Sequence, residues 1–258
     1  MQLTVRHLTA TAFAMVALAG AALAGPLDDI KSRGTIQIGL EGTYPPFNYV
    51  DEKGKLTGFE IDFAEAVAAK LGVKPDFQPG KWDGLLAALD VKRTDAVINQ
   101  VTVTPERGQK YAFSQPYTVS GIQIIVGGGK TNIAKPADLA GKKVGVVLGT
   151  SYEKWLRENV PTADIRTYDD DATRNQDLLV GRIDAILNDR LIVPNLLKQY
   201  SGKLVAAGEP FATQKQAVAV RKDSGDLVTA IDGAIAALRA DGTLKTISEK
   251  WFGADVTQ

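Results

Sequence analysis

The sequence has no cysteine among its 258 residues. That excludes disulfides, thiolate nucleophiles and Cys-rich zinc sites. It has a single histidine, His7, in the leader-like start of the chain. Beyond that start, a Ser-His-Asp triad, a histidine general base and histidine metal ligands are excluded too. It also lacks a charge bias. Lys+Arg total 30 and Asp+Glu total 30, so no net field points to nucleic acid or an anionic membrane. Acid–base chemistry is left to carboxylates and lysines.

The first residues are built differently from the rest. "MQLTVRH" carries Arg6, "LTATAFAMVALAGAA" is apolar and small, and "ALA" precedes Gly25. This is the pattern of an export signal, 1–24, with cleavage expected after Ala24. The apolar run is too short and Gly-broken to span a bilayer. With no cysteine there is no site for a lipid anchor. The mature product is expected to be soluble and periplasmic.

The remaining chain alternates strand-like and helix-like runs. "TIQIGL" (35–40) reads as a strand. "GFEIDFAEAVAAKLG" (58–72) reads as a helix, with Phe59, Phe63, Val67 and Leu71 at four-residue spacing and Gly72 as its stop. "VKPDF", "DAVINQVTV", "KKVGVVLG", "DIRTYD", "IDAILND" and "QAVAVRK" read as strands. "WDGLLAALD", "SYEKWLREN", "ATRNQDLLVGR", "LIVPNLLKQY" and two terminal segments read as helices. Such alternation predicts an α/β protein with mostly parallel sheets covered on both faces. The extended "TVSGIQIIVGGGK" and the later "GEPFATQKQAVAV" read as two crossings between lobes. The expected division is 25–117 plus 213–258 for lobe 1 and 118–212 for lobe 2. Ligands in such sheets bind beyond the carboxyl ends of the strands.

Several residues stand at those ends. "GGGKT" (127–131) resembles the end of a phosphate-binding loop, but Ile124 occupies the position where that motif needs its first glycine, so it reads as a surface loop. In "VGVVLGTSYEKWL", Thr150 and Ser151 open a helix after a buried strand; free backbone N–H groups and two hydroxyls there suit a carboxylate, or simply cap the helix. Asp189, in "ILNDR", follows an apolar strand and suits an ammonium group, or caps the next helix. In "YDDDAT", Asp170 or Asp171 reads as a helix cap rather than a metal ligand, because no EF-hand spacing follows. Tyr44, Phe47 and Trp82 sit in connections that wall a pocket or cover the core, with Phe47 assigned to the core. Thr102 and Arg107 follow a strand end, and Pro105 between them sets up a helical turn that swings Arg107 back. An arginine grips a carboxylate through two parallel hydrogen bonds.

Long motifs then coincide with one family. "EGTYPPFNYVDEKGKLTGFEIDFAEAVAAKLG", "WDGLLAALDVKRTDAVINQVTVTPERGQKYAFSQPY", "GKKVGVVLGTSYEKWL" and "GRIDAILNDR" resemble the periplasmic binding proteins of polar amino-acid ABC importers. "KWDG", "VINQVT", "YDDD" and "EKWFGADVT" resemble its cystine-binding branch. The resemblance implies a two-lobed fold, with two mixed, mostly parallel sheets joined by a two-strand hinge. It implies that Arg107 and Thr102 hold a ligand carboxylate, that Ser151 and Thr150 reach it from the second lobe, and that Asp189 receives the ammonium with a backbone oxygen near Gln100. Tyr44 and Trp82 would pack the ligand side chain. Glu41 sits at a position that contributes in relatives with basic ligands, and Asn99 and Trp82 differ from the small or aliphatic residues of some relatives. The implied partner is a membrane permease; no cofactor, metal or nucleic acid is expected, and the protein is expected to be a monomer. Two other functions fit the same fold: a periplasmic dehydratase using Glu41 or Asp189, and a ligand sensor for a signalling partner. The absence of an apolar span before Gln258 favours a free protein over a fused receptor.

Overall fold

The computed structural model describes residues 25–129 and 132–258. Residues 1–24, where the export signal is expected, and Lys130 and Thr131 of "GGGKT" lie outside the described residues. In chain order, α1 (Pro26–Arg33) leads into β1 (Thr35–Leu40). A small antiparallel sheet follows, of β2 (Thr43–Tyr44), β3 (Asn48–Val50) and β4 (Leu56–Thr57). Then come α2 (Phe59–Leu71), β5 (Lys74–Pro79), α3 (Trp82–Asp90), β6 (Ala96–Val97), α4 (Pro105–Lys110) and β7 (Tyr111–Phe113). The long β8 (Thr118–Gly127) opens the second half, with β9 (Lys143–Val147), α5 (Ser151–Asn159), β10 (Asp164–Tyr168), α6 (Asp171–Leu179), β11 (Ala185–Asp189) and α7 (Val193–Gln199). The chain returns through β12 (Leu204–Gln216) to β13 (Ala219–Arg221), α8 (Gly225–Ala240) and α9 (Thr243–Phe252).

Two five-stranded sheets result, in the orders β5-β1-β6-β13-β7 and β10-β9-β11-β8-β12. They are built alike. In each, three strands run parallel, the fourth is antiparallel and the fifth reverses again, so four of five strands share one direction. The mixed, mostly parallel architecture read from the alternation is therefore present. The antiparallel partners β8 and β12 pair from Thr118↔Gln216 to Leu204↔Gly127, with register shifts around Phe211. Next to Gln216 the chain turns into β13 of the first sheet, so this ladder joins the two sheets.

Hydrophobic alternation decides which face each strand buries. On β8, Ile122, Ile124 and Val126 pack with Val144, Val146 and Leu187, whereas Ile125 joins the cluster on the opposite face. On α2, Phe59, Phe63 and Val67 are buried against Ile231 and Ile235 of α8, and Gly72 ends the helix in the left-handed conformation. Phe47 is fully buried, as anticipated. Burying each such side chain contributes about 1.5–3 kcal/mol.

Three local readings change. The strand expected over 95–103 forms only at β6, because Gln100 adopts a positive φ of 48° and the chain peels away. The helix expected from Leu191 begins as a 3₁₀ turn, Arg190–Ile192. The return crossing starts earlier, at Leu204, and extends pairing along the whole of β8.

Gly58 ties the small sheet to α2. Its φ of 133° and ψ of 173° lie in a region open essentially to glycine, and an added Cβ would come 2.2 Å from the Phe47 oxygen. Gly58→Ala is expected to lower the unfolding free energy by about 2–5 kcal/mol, combining backbone strain and overpacking. Urea titration checks this; an unchanged midpoint would show that the loop relaxes freely.

Candidate functional site

A buried carboxylate sets the floor of the cleft. Glu60, the second residue of α2, is 0% exposed. Its Oε1 accepts the Gln100 backbone N–H at 2.7 Å, the Gln100 side-chain amide at 3.1 Å and the Tyr117 hydroxyl, and its Oε2 accepts Asn48 Nδ2 at 2.6 Å. Burial raises the Glu60 pKa, and these donors pull it back. The bend they impose at Gln100 carries Asn99, Thr102 and α4 to one rim. Asn99 then grips Glu41 twice: Asn99 Oδ1 accepts the Glu41 backbone N–H at 2.8 Å, and Asn99 Nδ2 donates to Glu41 Oε2 at 2.8 Å.

Thr104 caps α4 by accepting the Arg107 backbone N–H at 3.2 Å. That short helix turns the Arg107 side chain back, as Pro105 predicts. Its Nη1 donates to Thr102 O at 2.9 Å, and its Cζ lies 5.2 Å from the Trp82 ring centroid. Desolvation lowers the Arg107 pKa, but a guanidinium stays charged at neutral pH. Across the cleft, Nη2 donates to Gly149 O at 3.1 Å. The Thr102 and Ser151 hydroxyls lie 3.2 Å apart, and both bond Gln214 Oε1. Thr150 caps α5 by accepting the Glu153 N–H, leaving Ser151 to face the cleft.

The far wall is α6 and the end of β11. Asp171 pairs with Arg174 at 2.8 Å and accepts Asn188 Nδ2 at 3.3 Å, while Tyr44 donates to Asn188 Oδ1 at 2.8 Å. The cleft between the walls is half open to solvent, and it offers about 40 Å³ to a water-sized solute.

The model of the bacterial extracellular solute-binding proteins, family 3, matches residues 36–254. The chain belongs to that family. The L-cystine-binding protein TcyJ of Escherichia coli (strain K12) is 57% identical over 235 residues, covering 91% of this chain and 88% of TcyJ. An ancestral arginine-binding protein bound to arginine superposes with a TM-score of 0.82 at 39% identity, over 86% of this chain and 99% of that one. The ancestral amino acid-binding protein AncCDT-1, a precursor of cyclohexadienyl dehydratase, superposes with a TM-score of 0.82 at 36% identity, over 88% and 99%.

In this solute-binding protein, nine of the ten anticipated residues line the same cleft: Glu41, Tyr44, Trp82, Asn99, Gln100, Thr102, Arg107, Thr150 and Ser151. Asp189 does not line it. Side chains alternate along β11, so Asn188 faces the cavity and Asp189 the reverse side. Asp189 is 0% exposed. Its Oδ1 accepts the Ser120 hydroxyl and the Leu191 N–H at 2.7 Å, capping the 3₁₀ turn, and its Oδ2 accepts Gln216 Nε2 at 3.4 Å. Burial pushes its pKa up to about 6 against those bonds. Tyr152, Asp171, Arg174 and Asn188 line the cavity without having been singled out as ligand groups. Asp170 makes the helix cap, accepting the Thr173 N–H at 2.7 Å, which releases Asp171 one residue on to the cleft.

Burial, first, and the neighbouring Asp171 and Glu60 carboxylates push Glu41 up to about 7 from 4.5, while Asn99 and Arg174 oppose the shift. The fold therefore favours the protonated form. That contribution to stability is complete below pH 4.5 and is lost as pH rises through 7. In urea titrations across this range, Glu41→Gln should lose less stability with rising pH than the native chain, by about 2–3 kcal/mol. Parallel curves for the two proteins would contradict the assignment.

Proposed function

We propose that the chain is the extracytoplasmic binding subunit of an amino-acid ABC importer, that it captures L-cystine or a closely related polar amino acid by lobe closure, and that it hands the solute to a membrane permease. What supports this most is the convergence of Arg107, Thr102, Thr150 and Ser151 from two sheets on one small cavity, in a chain 57% identical to an L-cystine-binding protein. A zwitterionic head is strongly hydrated, so capture replaces its water with fixed charges. Each charge-assisted hydrogen bond is worth about 1.5–3 kcal/mol net. Micromolar binding needs about 8 kcal/mol, which three or four such bonds and aromatic packing on Tyr44 and Trp82 supply.

In this reading, residues 25–117 with 213–258 move as one lobe and 118–212 as the other, bending where Thr118–Ser120 pairs with Gln214–Gln216. Arg107 exchanges Gly149 O for the ligand carboxylate, and Thr102 and Ser151 exchange each other for it. Asp189 receives the ammonium by turning from Ser120 and the reverse side of β11 to the cleft; the backbone near Gln100 shares that contact. The first 24 residues direct export to the periplasm and are cleaved after Ala24, and the mature protein acts as a monomer. It acts without catalysis: incubation with prephenate or arogenate is expected to give no aromatic product, and accumulation of one would favour the dehydratase reading.

Arg107→Ala tests the binding role, because Arg107 is half-buried on the rim and supports little of the core. Calorimetry with L-cystine is expected to show affinity reduced about a hundredfold or more, from two lost charge-assisted bonds. Thermal unfolding should shift by only a few degrees. Native affinity in the variant would remove Arg107 from the site.

A further inference from the structure

One side chain in the cavity wall is more expensive than its structural role explains. Arg174 of α6 is 1% exposed. Its Nη1 pairs with Asp171 and its Nη2 donates to Asn175 at 3.0 Å, but its Nε, fully buried, has no partner among the described residues. A buried ion pair is often no more stabilising than apolar side chains of the same volume, and a buried N–H left without an acceptor costs about 1–3 kcal/mol. The wall therefore holds a cation with spare donor capacity. It lines the same cleft as Arg107. Asp171 and Arg174 also act electrostatically on Glu41 across the cavity, the one raising and the other lowering its pKa. The cleft thus carries, besides Arg107, the Asp171–Arg174 ion pair and the Glu41 carboxyl, which burial pushes toward its protonated form.

Resting on the amino-acid reading above, we propose that Arg174 and Asp171 receive the second zwitterionic head of a two-headed amino acid, Arg174 taking its carboxylate and Asp171, with Glu41 facing it, its ammonium. The two Cα atoms joined through a disulfide lie about 4.4–6.8 Å apart, so a two-headed ligand presents its second head close to the first. A single-headed ligand with a neutral side chain gains nothing from this cluster. A basic side chain would find Asp171 already paired and meet the Arg174 guanidinium, so the same arginine that welcomes a second carboxylate repels arginine and lysine. Specificity here comes from an attractive and a repulsive element together.

Calorimetry on the mature protein separates the two ends. The ligands are L-cystine, S-methyl-L-cysteine as its one-headed counterpart, and L-arginine. The native chain is expected to bind cystine more tightly than S-methyl-cysteine and to reject arginine. Arg174→Gln should weaken cystine about tenfold to a hundredfold, leave S-methyl-cysteine within about twofold, and admit arginine. Arg174 is buried, so Asp171→Asn, on the partly exposed first turn of α6, provides the second variant; circular dichroism melts identify a folded one. It should also weaken cystine selectively. Equal losses for cystine and S-methyl-cysteine in a folded variant, or an unchanged cystine affinity in both, would overturn the second-head assignment while leaving the amino-acid reading standing. A native chain that binds neither cystine nor S-methyl-cysteine would overturn both.

Discussion

The cleft depends on one desolvated acid. Glu60 sits in the core beside the Phe59, Phe63 and Tyr117 rings, where an unpartnered carboxylate would be prohibitively costly. Asn48, Gln100 and Tyr117 make it tolerable, and in doing so they fix three separate segments around it. The chain leaving β6 must offer its Gln100 N–H inward, which forces the positive φ and ends the strand early. From that bend follow the position of Asn99 against Glu41, of Thr102 at the rim, and of the short helix that carries Arg107. The geometry of the cleft is thus a consequence of how a single buried acid is satisfied.

The two sheets repeat one plan, and the plan explains why the site lies between them. Parallel strands end at a common edge in each sheet, and the β8–β12 ladder sets those edges opposite one another. The groups that meet there already bond each other: Arg107 to Gly149, Thr102 to Ser151, Tyr44 to Asn188. Each is a donor or acceptor that a hydrated polar solute can replace bond for bond. A ligand touching both walls favours the closed arrangement only by the difference between its contacts and these.

Much of this was legible in the residues. The change between two-residue and four-residue periodicity located the strands and helices, and α3 runs from Trp82 to Asp90 as the pattern indicates. Pro105 carries a local signal for the turn that brings Arg107 back, and the expected role of Arg107 comes from the resemblance to the amino-acid-binding family. What was missed depended on tertiary context. Glu60 stands beside the apolar stripe of α2 and is indistinguishable from a solvated glutamate until Asn48 and Tyr117 arrive. Asp189 and Asn188 differ by one step of strand alternation, and only the pairing of β11 with β8 decides which one faces the cleft. Arg174 resembles any helix-surface arginine; nothing local reveals that its guanidinium is enclosed. Asp170 and Asp171 were weighed equally as caps, and the cap geometry of α6 separates a capping residue from a cavity residue.

The central claim is that opposite walls of one cleft hold opposite parts of the same dipolar solute. A crystal structure of the mature protein grown with L-cystine tests it directly. The account predicts electron density for a disulfide-linked ligand between the lobes, with one carboxylate on the Arg107 guanidinium and the other against Arg174. Cystine seated on an outer surface, with both guanidinium groups still bonded only to protein, would contradict it.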